Sequence, residues 1–218
     1  MTSIAVIDYD VGNIRSIISA IEKVGAHPIF SRDASEVMSA DGLVLPGVGA
    51  FPFGILKLKE YELDQIINKF AESNKPILGI CLGMQLLFSK SEEYGVTNGL
   101  GLIPGVVRKL QLLDPFVKRL PHVGWNGLEL PPTQSWDNNI LSGIKINQDM
   151  YFVHSFEAVP DNKNHVLSTT KYSNNQFCSA VRRNNIFGCQ FHPEKSAEGG
   201  LKVLHNFIQE CRGNDIAR

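Results

Sequence analysis

The stretch Lys75-Pro76-Ile77-Leu78-Gly79-Ile80-Cys81-Leu82-Gly83-Met84-Gln85-Leu86-Leu87-Phe88 decides how this chain is read. It predicts a short buried strand, a sharp turn carrying one cysteine, and the first turns of a helix. Gly79 and Gly83 stand two residues either side of Cys81, the cysteine counterpart of the G-x-S-x-G nucleophile elbow. A strand that turns straight into a helix brings two backbones too close for side chains, so glycine is required there. The cysteine then lies at a helix N-terminus, where unpaired N–H groups and the helix dipole favour thiolate over thiol. An isolated cysteine in an apolar run is otherwise ordinary core filling. A nucleophile needs a base.

Far downstream stands Ile186-Phe187-Gly188-Cys189-Gln190-Phe191-His192-Pro193-Glu194-Lys195. Its first six residues read as a strand. His192 and Glu194 are two apart, the spacing that puts side chains on one face of an extended segment. Pro193 between them stiffens the strand's end. A histidine that takes a proton from a thiol needs a group on its other ring nitrogen to fix its tautomer, and Glu194 is placed for that. By itself His-Pro-Glu is equally compatible with a surface turn and a solvated ion pair.

Outward from these segments, the first half alternates strands and helices. Ile4–Ile7, Pro28–Phe30, Gly42–Leu45 and Pro76–Ile80 read as strands. Ile14, Ile17, Ile18 and Ile21, then Leu63, Ile66, Ile67 and Phe70, follow the spacing of amphipathic helices. This predicts an α/β fold: a mostly parallel central sheet with helices on both faces. Chemistry in such sheets gathers at the carboxyl ends of strands, where Pro46-Gly47-Val48-Gly49 and Cys81 both fall. The second half offers β-rich runs at Val106–Val107, Trp125–Leu130, Met150–Val159, Val166–Tyr172 and Phe177–Arg183. Asn184-Asn185 suits a hairpin turn. These runs predict antiparallel additions to one sheet, so residues 1–218 form a single domain. Leu113–Arg119 and Pro131–Asn147 read as surface loops, and Leu201–Cys211 as a closing helix.

The 218 residues suffice for a sizeable core, and 43% hydrophobic with 20% charged residues is ordinary for a globular protein. A formal net charge of -1 gives no reason to expect nucleic acid or an anionic membrane as partner. Cys81, Cys178, Cys189 and Cys211 show no C-x-x-C pairing or framework spacing, which points to a reducing compartment. The start lacks the basic and long apolar regions of a signal peptide, so a cytoplasmic location is expected. Pro76–Phe88 is too short to span a bilayer. His27, His122, His154, His165, His192 and His205 are scattered without ligand spacing, so neither a metal nor a cofactor is expected.

Gly79–Gln85 together with Gly188–Glu194 resembles the class I, triad-type glutamine amidotransferases. Asp8-Tyr9-Asp10-Val11-Gly12-Asn13, Pro46-Gly47-Val48-Gly49, Pro121-His122-Val123-Gly124-Trp125-Asn126, Tyr151–Phe156 and His192–Ser196 narrow the match. In that order they resemble the glutaminase subunits of imidazole glycerol phosphate synthases, from Ile4 to about Phe207. Two positions depart from the family pattern: Asp10 where glycine is usual, and Val123 where methionine is common.

The resemblance implies glutamine hydrolysis to glutamate and ammonia, with Cys81 as nucleophile, His192 as base and Glu194 as its orienting partner. The oxyanion donors expected are the Leu82 N–H, directly after the nucleophile, and the Gly47-Val48-Gly49 loop. Gln85, one helical turn past Cys81, is expected to hold glutamine, and by resemblance Gly49, Tyr151, His154 and Ser155 line the same pocket. The chain has no phosphate-binding loop or G-x-G-x-x-G fingerprint, so the ammonia acceptor must bind another polypeptide. The resemblance implies a (β/α)8-barrel cyclase subunit in histidine biosynthesis, forming a heterodimer through Lys195, Trp125 and Asn13. Close relatives serve an amidation step in surface-sugar synthesis, a second reading. A third is a partner-binding module without chemistry.

Overall fold

The computed structural model describes residues 1–116 and 119–213. Its strands are β1 (Ser3–Ile7), β2 (His27–Ser31), β3 (Gly42–Leu45), β4 (Ile77–Ile80), β5 (Phe88–Ser91), β6 (Thr97–Asn98) and β7 (Ile103–Lys109). They continue as β8 (His122–Gly127), β9 (Asp149–His154), β10 (Phe156–Pro160), β11 (Val166–Tyr172), β12 (Asn175–Arg183) and β13 (Ile186–Cys189). The helices are α1 (Ile14–Lys23), α2 (Ala34–Ser39), α3 (Phe51–Glu60), α4 (Leu63–Glu72), α5 (Leu82–Leu86) and α6 (Ala197–Gly213).

β3, β4 and β13 are buried at every residue, as unbroken apolar runs must be when both faces of a sheet are covered. Alternate residues feed two cores. Ile4, Val6, Val44, Leu78 and Ile80 share a core with residues of α1 and α6, while Ala5, Ile7, Leu43, Leu45 and Ile77 share one with α3, α4 and α5. The eleven-stranded sheet runs β2-β1-β3-β4-β13-β12-β10-β7-β5-β6, with β11 added on β12. Its pairs from β2 to β13 are parallel, and from β12 onward the pairs are antiparallel except β7–β5, which is parallel. The parallel first half and the additions β12, β10, β7, β5, β6 and β11 are thus parts of one sheet, whereas β8 and β9, also expected to join it, pair apart from it.

The pairing of β13 with β4 positions the site. Gly188 lies opposite Gly79 and Cys189 opposite Ile80, so the chain leaving β13 emerges beside Cys81. The Asn184-Asn185 turn that starts β13 holds Asn184 at φ 55°, as a tight hairpin requires.

Several expectations need correction. α2 and α3 carry no clear periodic signal; α2 is a short helix capped by Asp33, whose carboxylate accepts the N–H groups of Ser35 and Glu36. The helix after Cys81 spans only Leu82–Leu86 before β5 begins. Met150–Val159 is not one strand: it breaks at Ser155, β9 pairing with β8 in a separate two-stranded sheet and β10 joining the main sheet. Pro131–Asn147 contains no helix or strand, yet it buries Trp136, Ile140 and Leu141, with the Trp136 indole donating to Leu167 O at 2.8 Å. It covers core and is not a surface loop. The strand expected over Ile186–Phe191 stops at Cys189. Of the loop expected over Leu113–Arg119, residues 117 and 118 lie outside the described residues.

A Cβ on Gly83 would lie 1.8 Å from Leu45 O and 2.7 Å from its carbonyl carbon. Neither backbone atom can rotate away. Gly83→Ala is therefore expected to destabilise the fold by about 3 kcal/mol or more, read as a lower urea midpoint; an unchanged midpoint would contradict this packing.

Candidate active site

Cys81 follows β4 at φ 53° and ψ -108°, a backbone region that costs a non-glycine residue on the order of 1–3 kcal/mol. Its neighbours impose it. The Cys81 N–H donates to Cys189 O at 2.8 Å, and the Gln85 N–H donates back to Cys81 O at 3.2 Å. A Cβ on Gly79 would meet Met84 N at 2.6 Å, so both flanking glycines serve close approach, as the motif requires. The thiol lies 3.7 Å from the Gln190 side-chain nitrogen and 3.7 Å from Val153 O.

His192 and Glu194 do meet, but not along an extended strand. Pro193–Lys195 forms a single 3-10 turn, with His192 just before it. That turn sets His192 Nδ1 2.8 Å from Glu194 Oε1, with the two side chains 2% and 1% exposed. The His192 backbone is fixed on both sides: its N–H donates to Tyr151 O at 2.9 Å, and its carbonyl accepts from the Ser196 hydroxyl at 2.6 Å. Ser196 Oγ in turn accepts the Tyr151 N–H at 2.9 Å. Burial pulls the His192 pKa down, but Cys81 and Glu194 outweigh it and push the value up to about 10. Nε2 has no conventional hydrogen-bond partner among the described residues, and Cys81 is the neighbour that most favours its charge. Glu194 on one ring nitrogen and Cys81 beside the ring is the arrangement that proton transfer from a thiol to an imidazole needs.

A cavity of about 220 Å³ opens over Cys81. Leu82, Val48 and Gly49 line it beside the thiol, where oxyanion donors are needed. Gly47 is buried beneath: a Cβ there would collide with the Tyr9 hydroxyl and Leu82. Gly49 holds φ at 107°, which only glycine adopts without strain. Gln85, His154 and Ser155 also line the cavity, as expected. Gln85 is tied down by its amide nitrogen, which donates to Phe156 O at 3.2 Å and Gln190 Oε1 at 2.9 Å. Both ring nitrogens of His154 are engaged, by Phe156 O and His122, so its contribution to the cavity is its shape.

Tyr151 meets the site through its backbone. It is not part of the cavity wall and instead holds the His192 backbone, its ring 5.8 Å from Trp125 and 5.9 Å from the Lys195 ammonium. Trp125 is half exposed there, so two of the expected interface residues share one surface cluster beside the site. Asn13 stands at the start of α1, where its side chain makes no capping hydrogen bond. Asp10 occupies a left-handed position, φ 61°, a conformation that glycine adopts freely. Here the Tyr61 hydroxyl, Arg32 and Lys57 hold its carboxylate and keep its pKa below the ordinary value.

Two further residues matter. Glu93 lines the cavity with one oxygen fixed by the Phe51 N–H at 2.8 Å, a carboxylate suited to a cationic group. Nothing in the Ser91-Glu92-Glu93-Tyr94 run distinguishes it from a solvated surface residue. Gln190 carries a signal, as a polar side chain inside an apolar run, and it is fully buried. Among the described residues no group of His, Cys, Asp or Glu is arranged to hold a metal, and no helix is long and apolar enough to cross a membrane.

A cysteine elbow beside a buried His–Glu pair defines a class, and comparison with known proteins agrees. The family model "Glutamine amidotransferase class-I" matches residues 5–211. PurLQS from Thermotoga maritima has a similar structure, with a TM-score of 0.73 at 20% identity over 95% of this chain and 98% of that one. Imidazole glycerol phosphate synthase subunit HisH 1 of Legionella pneumophila (strain Lens) is 43% identical over 96% of this chain and 100% of its own. The HisH subunit of Thermosynechococcus vestitus is also 43% identical, over 94% of this chain and 96% of its own. The chain thus belongs to the class-I glutamine amidotransferase family and, within it, to the HisH subunits of imidazole glycerol phosphate synthase.

Glu194→Gln removes one of the two groups that hold the His192 proton, so the His192 pKa should fall from about 10. Because the folded value lies above the ordinary 6.5, the pair's contribution to stability is complete below 6.5 and is lost as pH rises through about 10. In the variant that loss should come at lower pH, read by NMR titration of the His192 ring alongside alkaline unfolding. An unmoved titration would separate Glu194 from the histidine's charge.

Proposed function

We propose that this chain is the glutaminase subunit of an imidazole glycerol phosphate synthase, acting through Cys81, His192 and Glu194. The observation that carries the reading is the buried His192–Glu194 contact of 2.8 Å next to a cysteine held at positive φ. Cys81 attacks the glutamine side-chain carboxamide, and His192 takes the thiol proton and returns it to the departing ammonia. The tetrahedral oxyanion is received by the Leu82 N–H and by a peptide unit of Gly47-Val48-Gly49, each donor worth about 3 kcal/mol. Water then hydrolyses the γ-glutamyl thioester, with His192 as its base, releasing glutamate. Glu194 keeps the histidine in the tautomer this requires and stabilises its cation. Glu93 accepts the α-ammonium of glutamine, and Gln85, Gly49 and Ser155 shape the rest of the pocket.

Ammonia released in water becomes ammonium and loses its nucleophilicity, so it must pass to a second site without leaving protein. The names of the relatives support a synthase partner, and the resemblance makes that partner a (β/α)8-barrel cyclase in a cytoplasmic heterodimer of histidine biosynthesis. The same names favour this pathway over surface-sugar amidation. The exposed Trp125–Tyr151–Lys195 cluster beside the cavity is the surface proposed to meet it, with Asn13. A charged histidine pair at Cys81 favours an enzyme over a binding module.

Glutamate release by the full chain, alone and with a histidine-pathway cyclase subunit and its nucleotide substrate, tests this. Turnover should rise strongly with the loaded partner and vanish in Cys81→Ala, whose fold should be retained. Turnover surviving in Cys81→Ala would remove the triad; a rate that no loaded cyclase raises would remove the pathway.

A further inference from the structure

Behind the pocket, polar contacts run without interruption from the rim of β8 to the nucleophile. Asn126 Oδ1 lies 2.7 Å from His122 Nε2, His122 Nδ1 lies 3.0 Å from His154 Nε2, and His154 Nδ1 lies 2.8 Å from Phe156 O. The same Phe156 oxygen accepts from Gln85, which donates onward to Gln190, whose amide reaches the Cys81 thiol. His122 and His154 are 0% and 6% exposed, so bulk water is not at hand to repair a mismatch between the rings.

Ring protons decide whether this chain closes. Phe156 O can only accept, so His154 carries its proton on Nδ1. A neutral ring then has a bare Nε2, and His122 must donate to it from Nδ1. A neutral His122 is left with a bare Nε2 that needs a donor. As placed, Asn126 turns its carbonyl to that nitrogen and its amino group to Lys171 O at 3.2 Å. That orientation is correct only if the two rings share a third proton and a net positive charge. Turned by half a rotation, the amide occupies the same space and donates to His122. Its carbonyl then faces Lys171 O, a mismatch that a bridging water relieves at this partly exposed position.

The surroundings select between these states. His122 is stacked on Phe152 and Tyr172, at 5.2 and 4.1 Å, with Phe177 edge-on; His154 packs on Phe152 and Phe177. The titratable groups facing the pair are Tyr172, whose hydroxyl donates to Arg119 O, and His192, whose charge opposes a charge on His154. Burial above all, outweighing the Phe156 hydrogen bond, holds the His154 pKa down to about 3, and burial lowers that of His122. Enclosure among these rings and the facing charge of His192 favour the neutral pair.

We propose that Asn126, His122 and His154 are positioning residues: a one-way donor chain, Asn126 to His122 to His154 to the Phe156 carbonyl, that sets Phe156 and with it Gln85 for glutamine. The chain deepens the glutaminase reading and rests on it only where glutamine binding is measured. It assigns both histidines the neutral tautomer with the proton on Nδ1. It also makes the amide donor of Asn126, not its shape, the property that matters.

Nitrogen NMR of the full-length chain at neutral pH reads the tautomers directly. Both rings should be neutral and protonated on Nδ1; a proton on Nε2 of either ring, or an imidazolium pair, overturns the assignment. The second arm compares Asn126→Ala with Asn126→Asp, measuring glutamine affinity by protection of Cys81 from iodoacetamide. Water can enter beside alanine and supply the missing donor, so that variant should stay near the parent. Aspartate matches asparagine in shape but only accepts, so it should reverse the chain, move a proton to His122 Nε2 and weaken glutamine by about tenfold. A role in packing alone predicts the opposite order, and affinity in Asn126→Asp equal to or above that in Asn126→Ala refutes the chain. Should glutamine fail to protect even the parent, the pocket reading falls, and the tautomers alone decide the donor chain.

Discussion

The structure depends on one close approach: the first turn of α5 pressed against the ends of β3 and β4. Gly83 sits where even a methyl group would overlap Leu45 O, and Gly79 lies against the Gly83–Met84 peptide, where a Cβ would come within 2.6 Å of Met84 N. That proximity leaves Cys81 no room for an ordinary backbone conformation, and its positive φ is the consequence. The strain is held because the residue is tied at both ends, by Cys189 O on one side and by α5 on the other. Turned this way, the thiol borders the cavity with Leu82 beside it. Nucleophile and candidate oxyanion donor therefore share one backbone cause.

A strained elbow has no chemistry until a base arrives, and the sheet order delivers it. β13 enters the sheet directly against β4 in parallel register, although most of the second half of the chain lies between them. Shortly beyond β13 comes His192, and the 3-10 turn after it folds Glu194 back onto the ring. β9 completes the wall from the other side, because the chain leaves the small sheet at Ser155 and enters the main one at Phe156. That change of sheet puts Val153, His154 and Ser155 around the thiol. The antiparallel additions are thus the pocket's far wall.

Legibility in the sequence follows the length over which each physical signal acts. The parallel strands are readable because fully buried runs such as Leu43–Leu45 and Ile77–Ile80 leave no polar alternation. The elbow is readable because close backbone approach demands glycine at fixed offsets. α3 is not, because its apolar residues are spread around the helix, with Phe53 and Leu56 exposed. The break at Ser155 carries no glycine or proline, and a lone serine is too weak a signal, so only the competing pairings of β9 and β10 reveal it. Glu93 joins the site through space alone, whereas Gln190 is marked as a polar residue inside an apolar run. Tyr151 is expected at the pocket by resemblance, partly through backbone atoms, and its backbone carbonyl accepts the His192 N–H.

Two histidines near Cys81 show how the site divides its labour. His192 and His154 are both buried, and burial pushes both toward the neutral form. Their neighbours then separate them. His192 has Glu194 on one nitrogen and Cys81 near the other, and these neighbours recover the charge that burial removes. His154 has a carbonyl on one nitrogen and another imidazole on the other, and the charge of His192 opposes its own. A proton gained by His154 would therefore be felt at His192 as repulsion and would make the His192 charge harder to hold. Keeping one histidine charged requires keeping the other neutral. The divergence of two like groups under similar burial is what the proposed role of His192 as proton carrier requires, with His154 holding the pocket's shape.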